Sequence, residues 1–158
     1  VVGILAQRLV RVLCPNCKEP YTGTPDELEQ LGIDPVRTRR RDERRLSSAY
    51  IARHADQVVE YEPVGWRQER MPTLYRARGC AVCDNKGFTG RLGIYELLMA
   101  DDAVGEAVMQ SSDAQSIRRV AQTRGMDTLR DDGARKALAG VTTVEEVVAA
   151  TQDDMFDE

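Results

Sequence analysis

Apolar residues recur at helical spacing near the start of the chain. Leu5, Leu9 and Leu13 are each four residues apart, and Val12 precedes the last of them. Residues at such intervals lie on one face of a helix, with the intervening polar side chains on its other faces. The pattern therefore predicts an N-terminal helix that ends at the first cysteine pair.

A second helix and a strand are predicted before the second cysteine pair. Thr24 precedes Pro25, and Glu27 follows three residues after the threonine, which is the order of a capping box with proline at the first helical position. A short helix is expected over about residues 25–31. Residues 73–77 predict a strand that leads into the second cysteine pair.

The last third of the chain predicts four short helices. Asp101 can cap the first of them, and Thr142 and Thr143 each precede a glutamate by three residues, which predicts a capping box at the fourth. The apolar stripes are Val104 and Val108; Ala114, Ile117 and Ala121; Leu129, Ala134, Ala137 and Leu138; and Val144, Val147, Val148 and Thr151. We expect the four helices to form one small bundle.

The stretch between these two regions has a weaker pattern. Residues 36–72 are predicted to be a surface insertion, with arginines crowded into residues 37–45 and a short helix over about 47–59. His54 is expected on its surface, and Trp66 is expected to anchor the insertion to the rest of the chain.

The arginine-rich stretch leaves two interpretations open. The run from Arg37 to Arg45 could dock on anionic lipid headgroups, since each cation near a membrane surface contributes about 1 kcal/mol. Asp42 and Glu43 lie inside the run, however, and mixed charge runs are usually only solvated. The acidic tail, residues 152–158, is predicted to be frayed.

Composition and charge narrow the function classes. The net charge of −4 argues against a protein that binds nucleic acid by neutralising phosphates, so no nucleic-acid partner is expected. Only 5% of the residues are aromatic, and a chain with so modest a core often depends on a metal. No apolar run approaches the roughly 18 residues of a spanning helix, and we recognise no targeting segment. Because the chain begins without Met inside a regular pattern, we expect a fragment of a longer protein.

Two C-x-x-C pairs are the strongest chemical signal. Each pair can place two thiolates on one metal ion, because a tight turn brings its sulfurs together, and two such turns complete a tetrahedron. We therefore predict a structural zinc site with Cys14, Cys17, Cys80 and Cys83 as its ligands. Four protein ligands leave no open position for water, so no catalytic residue is predicted there.

Other interpretations of the cysteines remain open. Iron, a redox dithiol, disulfides or four ordinary thiols fit the same pairs, and the interval from Cys17 to Cys80 exceeds the roughly 15–20 residues of a compact zinc ribbon. An insertion between the pairs explains that interval. Lys18, Arg78 and Lys86 are candidate donors that offset the negative charge of a zinc tetrathiolate.

Four blocks of sequence carry a resemblance to a known family. The blocks are residues 6–21, 78–96, 125–133 and 139–147. They include Cys-Pro-x-Cys-Lys-Glu-Pro-Tyr, Gly-Phe-Thr-Gly-Arg-x-Gly-Ile-Tyr-Glu, Thr-Leu-Arg-Asp-Asp-Gly and Ala-Gly-Val-Thr-Thr. Together they resemble the type II secretion and type IV pilus assembly ATPases, the general secretory pathway protein E family. The sequence around the first cysteine pair looks more like the secretion branch.

The resemblance implies an α+β, mostly helical fold in three parts. Residues 1–13 would be the end of a RecA-like ATPase core, residues 14–98 a tetracysteine module with short strands, and residues 99–151 a C-terminal helical subdomain. It also implies a cytoplasmic hexamer, peripheral to the inner membrane and docked on secretion platform proteins. Such a protein hydrolyses ATP with Mg²⁺ to drive pseudopilus assembly, and its zinc module would be structural and aid assembly.

Nucleotide chemistry is expected outside these residues. The sequence contains no G-x-x-x-x-G-K-[ST] phosphate loop and no acidic Walker B strand, so we predict no nucleotide-binding residue and no ATP hydrolysis by this chain alone. Two alternatives remain open. One is a type IV pilus assembly ATPase, and the other is a stand-alone zinc-ribbon interaction or nucleic-acid-binding module.

Two polar features are assigned structural roles. Arg91, between two glycines, could reach the nucleotide of a neighbouring subunit, but pairing with Glu96 is favoured. Asp131 and Asp132 resemble a metal pair, yet adjacent residues on a helix point about 100° apart. We therefore predict that these carboxylates lie on a helix surface or in salt bridges.

Overall fold

The computed structural model describes residues 2–33, 71–110 and 113–152. They form the strands β1 (Gly3–Leu13), β2 (Glu19–Thr22), β3 (Thr73–Arg76) and β4 (Phe88–Met99). The helices are α1 (Pro25–Gln30), α2 (Asp102–Gln110), α3 (Ala114–Thr123), α4 (Leu129–Leu138) and α5 (Val144–Ala150), with one 3₁₀ turn at Ala81–Cys83. The predicted mixture of strands and short helices is confirmed, but two of the four described strands, β1 and β4, are long, with 11 and 12 residues.

The N-terminal segment is a strand, so the predicted N-terminal helix is wrong. β1 pairs antiparallel with β4 along nearly its whole length, from Gly3 opposite Met99 to Leu13 opposite Phe88. The register shifts between Arg11 and Leu13, where the strand approaches the first cysteine pair. A bulge of this kind re-aims the chain at the end of a ladder.

The apolar spacing fits a strand as well as a helix. Leu5 and Leu9 are an even number of residues apart, so they also share one face of a strand, where side chains alternate. Val10 and Ile94, on the opposite face of the ribbon, are fully buried, whereas Leu5 and Leu9 are 60% and 54% exposed. The long-range pairing of β1 with β4 makes this segment a strand, and the residues near β1 in the sequence do not predict that pairing.

A smaller antiparallel sheet is formed by β2 and β3, with Glu19 opposite Arg76. It confirms the strand predicted before the second cysteine pair. Helix α1 follows β2 and begins as predicted, since Thr24 Oγ1 accepts a hydrogen bond from Glu27 N while the Glu27 carboxylate accepts one from Thr24 N. Both halves of the capping box are therefore present at α1.

The four C-terminal helices lie at the predicted positions, but they form two pairs in place of one bundle. α2 and α3 pack around Val104, Ala121 and Met126. α4 and α5 pack with α1 and β3 around a separate cluster, which we call the helical core. Its buried residues are Leu31, Leu74, Ala134, Ala137, Val144 and Val147. α4 also packs on β3 and β4.

The last helix is fastened to β1 by the residue predicted to close its cap. Thr143 Oγ1 accepts from Glu146 N, which is one half of the predicted capping box. The Glu146 carboxylate instead accepts hydrogen bonds from Arg11 N at 3.0 Å and from the Arg11 guanidinium at 2.6 Å. The second half of the box is thus replaced by a tertiary contact.

Most of the predicted insertion lies outside the described residues. This applies to the arginine-rich stretch, the helix predicted over 47–59, His54 and Trp66, and also to most of the acidic tail. The boundaries predicted at residues 13/14 and 98/99 remain predictions. None of the described helices combines the length and apolarity that crossing a membrane requires.

Candidate metal centre

The first cysteine pair lies where β1 ends and the chain turns back. Cys14 N donates a hydrogen bond to Gly87 O at 2.9 Å, which ties this turn to the loop of the second pair. The Cys14 carbonyl accepts hydrogen bonds from Cys17 N and Lys18 N. These bonds close a tight turn, the first knuckle (residues 14–18).

The second pair forms a comparable turn before β4, the second knuckle (residues 80–87). The Cys80 carbonyl accepts from Cys83 N and Asn85 N. Asp84 and Asn85 adopt positive φ angles of 50° and 59°. Aspartate and asparagine tolerate this left-handed conformation better than most residues, so the sequence allows the chain to reverse tightly around the pair.

The four cysteine sulfurs converge on one point. Their Sγ atoms all lie within 4.8 Å of one another, and the four cysteines are free thiols. Three of the separations are 3.8 Å for Cys17–Cys83, 3.8 Å for Cys80–Cys83 and 4.0 Å for Cys14–Cys80. A tetrahedral zinc ion with Zn–S bonds of about 2.3 Å places its sulfurs about 3.8 Å apart, whereas a disulfide needs about 2.0 Å. The residues fit one tetrahedral ion, and four thiolates suit zinc or iron.

Amide N–H groups supply hydrogen bonds to two of the sulfurs. Cys83 Sγ accepts from Cys80 N at 3.3 Å and from Gly87 N at 3.2 Å, both within the second knuckle. Cys80 Sγ accepts from the side-chain amide of Asn16 at 3.3 Å, a bond that crosses between the knuckles. Such donors stabilise thiolates and orient them toward a metal.

The three cations predicted to offset the thiolate charge bond elsewhere. In the described part of the chain, none of Lys18, Arg78 and Lys86 donates to a sulfur. Their partners are Gly140 O for Lys18, the Glu19 carboxylate for Arg78 and the Asp84 carboxylate for Lys86. The prediction that these cations donate to the sulfurs is wrong, because each of them has a nearby oxygen partner.

The metal-free thiols differ in acidity. The Asn16 hydrogen bond is the main cause that lowers the pKa of Cys80 to about 6. Desolvation raises the pKa of Cys17 to about 12, since loss of water disfavours its thiolate. Four thiolates at this spacing repel one another, and a divalent cation supplies the charge that lets all four ionise.

A groove of about 380 Å³ opens beside the sulfurs. Cys17 and Cys80, both half-buried, line it together with Asn16, Lys18 and Arg78. The other two cysteines are buried. The cluster therefore has one edge that solvent reaches and one edge that the protein covers.

The first knuckle is tied to the turn between α4 and α5. Leu13 N donates to Val141 O, and Lys18 Nζ donates to Gly140 O, each at 2.8 Å. The Lys18 ammonium also lies 4.7 Å from the centre of the Tyr75 ring, within the range of a cation–π contact. Lys18 thus links the first knuckle to the turn after α4 and to β3, and both α4 and β3 contribute residues to the helical core.

Arg91 does not pair with Glu96, so that prediction is wrong. The two residues are an odd number of positions apart in β4 and their side chains lie on opposite faces of the strand. Glu96 instead lies 3.7 Å from the Arg118 guanidinium and accepts from Leu129 N. Arg91 lies opposite Arg11 in the ladder.

The two adjacent aspartates of α4 have separate structural roles, as predicted. Asp131 completes the capping box at the start of α4 with Thr128. Asp132 forms salt bridges with Arg135 and Lys136. Their carboxylates do not form a metal pair.

One site residue was missed from the sequence. Asn16 reaches a sulfur that lies more than 60 positions away, and its own position inside a turn explains an asparagine without that contact. The available signal was weak, since it was only the presence of an amide side chain between the two ligands of the first pair.

The chain is similar to known proteins over almost its whole length. The family described as type II/IV secretion system protein matches residues 1–149. The type II secretion system protein E of Pseudomonas aeruginosa is 41% identical over 98% of this chain and 24% of its own length. The type II secretion system ATPase E of Vibrio cholerae is 34% identical over 97% of this chain and 24% of its own.

A relative from the pilus branch is similar over nearly the same span. The type IV pilus assembly ATPase PilB of Thermus thermophilus is 36% identical over 96% of this chain and 14% of its own length. The chain therefore spans no more than about a quarter of the length of these curated relatives.

Proposed function

Because the chain belongs to the type II/IV secretion system protein family, we propose that it is the zinc-stapled part of an ATPase that powers type II protein secretion. The observation that carries the proposal is the convergence of four cysteine sulfurs, with tetrahedral spacing, in a chain of this family. Zinc bound there is structural, since four protein ligands leave no position for a reacting water.

The zinc ion acts as a staple between distant parts of the chain. Each knuckle contributes two thiolates, and the predicted insertion, residues 36–72, lies between the two knuckles. Closing a long loop costs only slightly more than closing a short one, so the insertion does not prevent the two knuckles from meeting. The Lys18 contacts then carry the position of the first knuckle to the helical core.

ATP hydrolysis in this proposal belongs to the longer parent protein. The 158 residues lack the phosphate loop and the acidic strand that hold a nucleotide and Mg²⁺ in ATPases of this kind. The parent is then a cytoplasmic hexamer, peripheral to the inner membrane, that drives pseudopilus assembly with platform proteins as partners. The stretch from Arg37 to Arg45 would offer a contact to anionic lipid. The ATPase and the secretion role are supported by the similarity to the type II secretion system ATPase E of Vibrio cholerae and protein E of Pseudomonas aeruginosa, and the rest of this context follows from the family resemblance.

The proposal is tested in the parent protein. In a bacterium lacking its own secretion ATPase, the parent should restore export of a reporter enzyme, and its Cys80→Ser/Cys83→Ser variant should not. Val82→Ala serves as the control, because Val82 lies between the same two cysteines and is 71% exposed. The isolated 158-residue chain should show no ATP turnover. Export that is unaffected by the double change, or turnover by the isolated chain, would contradict the proposal.

The pilus branch is the second candidate, and the Thermus thermophilus relative favours it. The two functions share the ATPase and differ in what is assembled. The same parent gene, expressed in a strain lacking its pilus assembly ATPase, separates them. Restored pili without restored export would assign the chain to the pilus branch. A metal-dependent complex with nucleic acid, in place of either activity, would favour a stand-alone zinc-ribbon module.

A further inference from the structure

The two cysteines of the second knuckle are unequal in the way their sulfurs are supported. Cys83 is buried and accepts two backbone N–H groups from its own knuckle. Cys80 is half-buried and lines the groove. The side chain that bonds to Cys80 Sγ comes from the other knuckle, and it is Asn16.

From this asymmetry we propose that Asn16 is a positioning residue for the metal centre, one that fixes the Cys80 thiolate and shields it on the solvent-facing edge. The inference rests on the zinc site proposed above. Asn16 stands between Cys14 and Cys17, whose turn is closed by hydrogen bonds from the N–H groups of Cys17 and Lys18. Its amide is therefore held on a closed turn and joins one pair of ligands to the other.

The charge of the site gives this contact its importance. Four thiolates on a divalent ion leave about two negative charges, which nearby donors must offset. The three cations beside the knuckles bond to oxygen atoms instead. Among the described residues, Asn16 is the one whose side-chain nitrogen donates a hydrogen bond to a cysteine sulfur. A donor to a thiolate also lowers the nucleophilicity of the sulfur, because it draws on the lone pairs that attack an electrophile.

The second cysteine pair provides a matched control. Val82 occupies the same place in the second pair that Asn16 occupies in the first, and it is 71% exposed. Its side chain has no hydrogen-bond donor. Val82→Ala should therefore reproduce any effect that comes merely from shortening the third residue of a C-x-x-C turn.

The experiment measures zinc affinity and thiol reactivity on the whole chain loaded with zinc alone. Asn16→Ala removes the amide, and Asn16→Asp keeps its size and turn preference while replacing the donor with a negatively charged acceptor. Loss of such a partner typically costs about 10-fold to 100-fold in metal affinity. Competition with a chromogenic chelator should show a weakening in that range for both variants and none for Val82→Ala. Peptide mapping after brief treatment with iodoacetamide should show Cys80 becoming the first cysteine modified in both Asn16 variants.

The outcomes separate this inference from the zinc site itself. A wild-type chain that binds no zinc would overturn both. A wild-type chain that binds zinc, together with Asn16 variants of unchanged affinity and unchanged order of modification, would overturn the role of Asn16 alone. A purely structural role for Asn16 would lower the stability of the fold without selectively exposing Cys80, so selective modification of Cys80 distinguishes the two.

Discussion

The two knuckles and the helical core are neighbours held together by different forces. Between the knuckles, the contacts are the four sulfur atoms, the backbone hydrogen bond from Cys14 N to Gly87 O, the Asn16 bond to Cys80 Sγ and the end of the β1–β4 ladder. In the helical core, apolar side chains from α1, β3, α4 and α5 are buried against one another. The first region depends on charge neutralised by a metal, and the second depends on apolar area removed from water.

The fold can therefore be disrupted in two separable ways. Withdrawing the metal removes what holds the knuckles, because four unneutralised thiolates repel one another. Damage to the apolar packing weakens the helical core but leaves the sulfur positions supported by their own turns. Contacts such as the one between Lys18 and Gly140 O determine how far each failure spreads to the other region.

The largest effect is expected from losing the metal ligands. Cys80→Ser/Cys83→Ser should unfold both knuckles, since binding of structural zinc is worth about 10–16 kcal/mol in small zinc domains. Hydrogen exchange should show fast exchange at residues 14–18 and 80–87. Helix α4 should keep most of its protection. Equal loss of protection in both regions would show that they are one cooperative unit, which would contradict their independent disruption.

A smaller effect is expected from overpacking the helical core. A Cβ on Gly133 would lie 2.5 Å from Val147 Cγ1, so Gly133→Ala should destabilise the α4–α5 contact by about 1–3 kcal/mol without releasing zinc. Gly105→Ala is the control, because a Cβ there meets nothing within 4 Å, and it should stabilise α2 by roughly 0.5–1 kcal/mol. Urea unfolding and zinc content measure both effects. Zinc lost from Gly133→Ala under native conditions would contradict the separation of the two regions.

The smallest effect concerns the ion pair that fastens α5 to β1. The hydrogen bond from Arg11 lowers the pKa of Glu146 below its ordinary value of 4.5. A carboxyl group with a lowered pKa stabilises the folded state above that ordinary value and loses this contribution as the pH falls through the lower, folded value. The free energy of unfolding of wild type should therefore exceed that of Glu146→Gln at pH 6. The difference should be only about 0.2–1 kcal/mol, because Arg11 is largely exposed.

That difference should vanish when the pH falls below the folded-state value of Glu146. Loss of zinc in acid affects both proteins, so the measured quantity is the difference in unfolding free energy between wild type and variant at each pH. A difference that grows as the pH falls would show that Glu146 is protonated in the folded protein, which contradicts the pairing with Arg11.

Local signals in the sequence predicted the helices well. The cap predicted from Thr24 and Glu27 is complete, and the apolar stripes of the last third mark helices where the structure has them. These features are readable because caps and helical stripes depend on residues within about four positions of each other. The cysteine pairs were readable for the same reason, since each knuckle is a local turn.

Features that depend on distant partners were not readable in this way. Leu5 and Leu9 fit a helix and a strand equally well, and the pairing of β1 with β4 decided between them. Lys18 and Arg78 were expected at the sulfurs, but the chain brings Gly140 O and the Glu19 carboxylate closer to them. In each case the partner lies far away in the sequence, or is one of several possible acceptors. The sequence alone does not show which acceptor the fold brings nearest to the cation.

The most direct test of the account is the metal content of the intact chain. Native mass spectrometry with elemental analysis, on protein purified without added metal, should find one zinc ion per chain. Removing it with a chelator should release the two knuckles from protection against hydrogen exchange. A folded chain that carries no metal and presents four reactive thiols, with residues 14–18 and 80–87 still protected, would contradict the central claim.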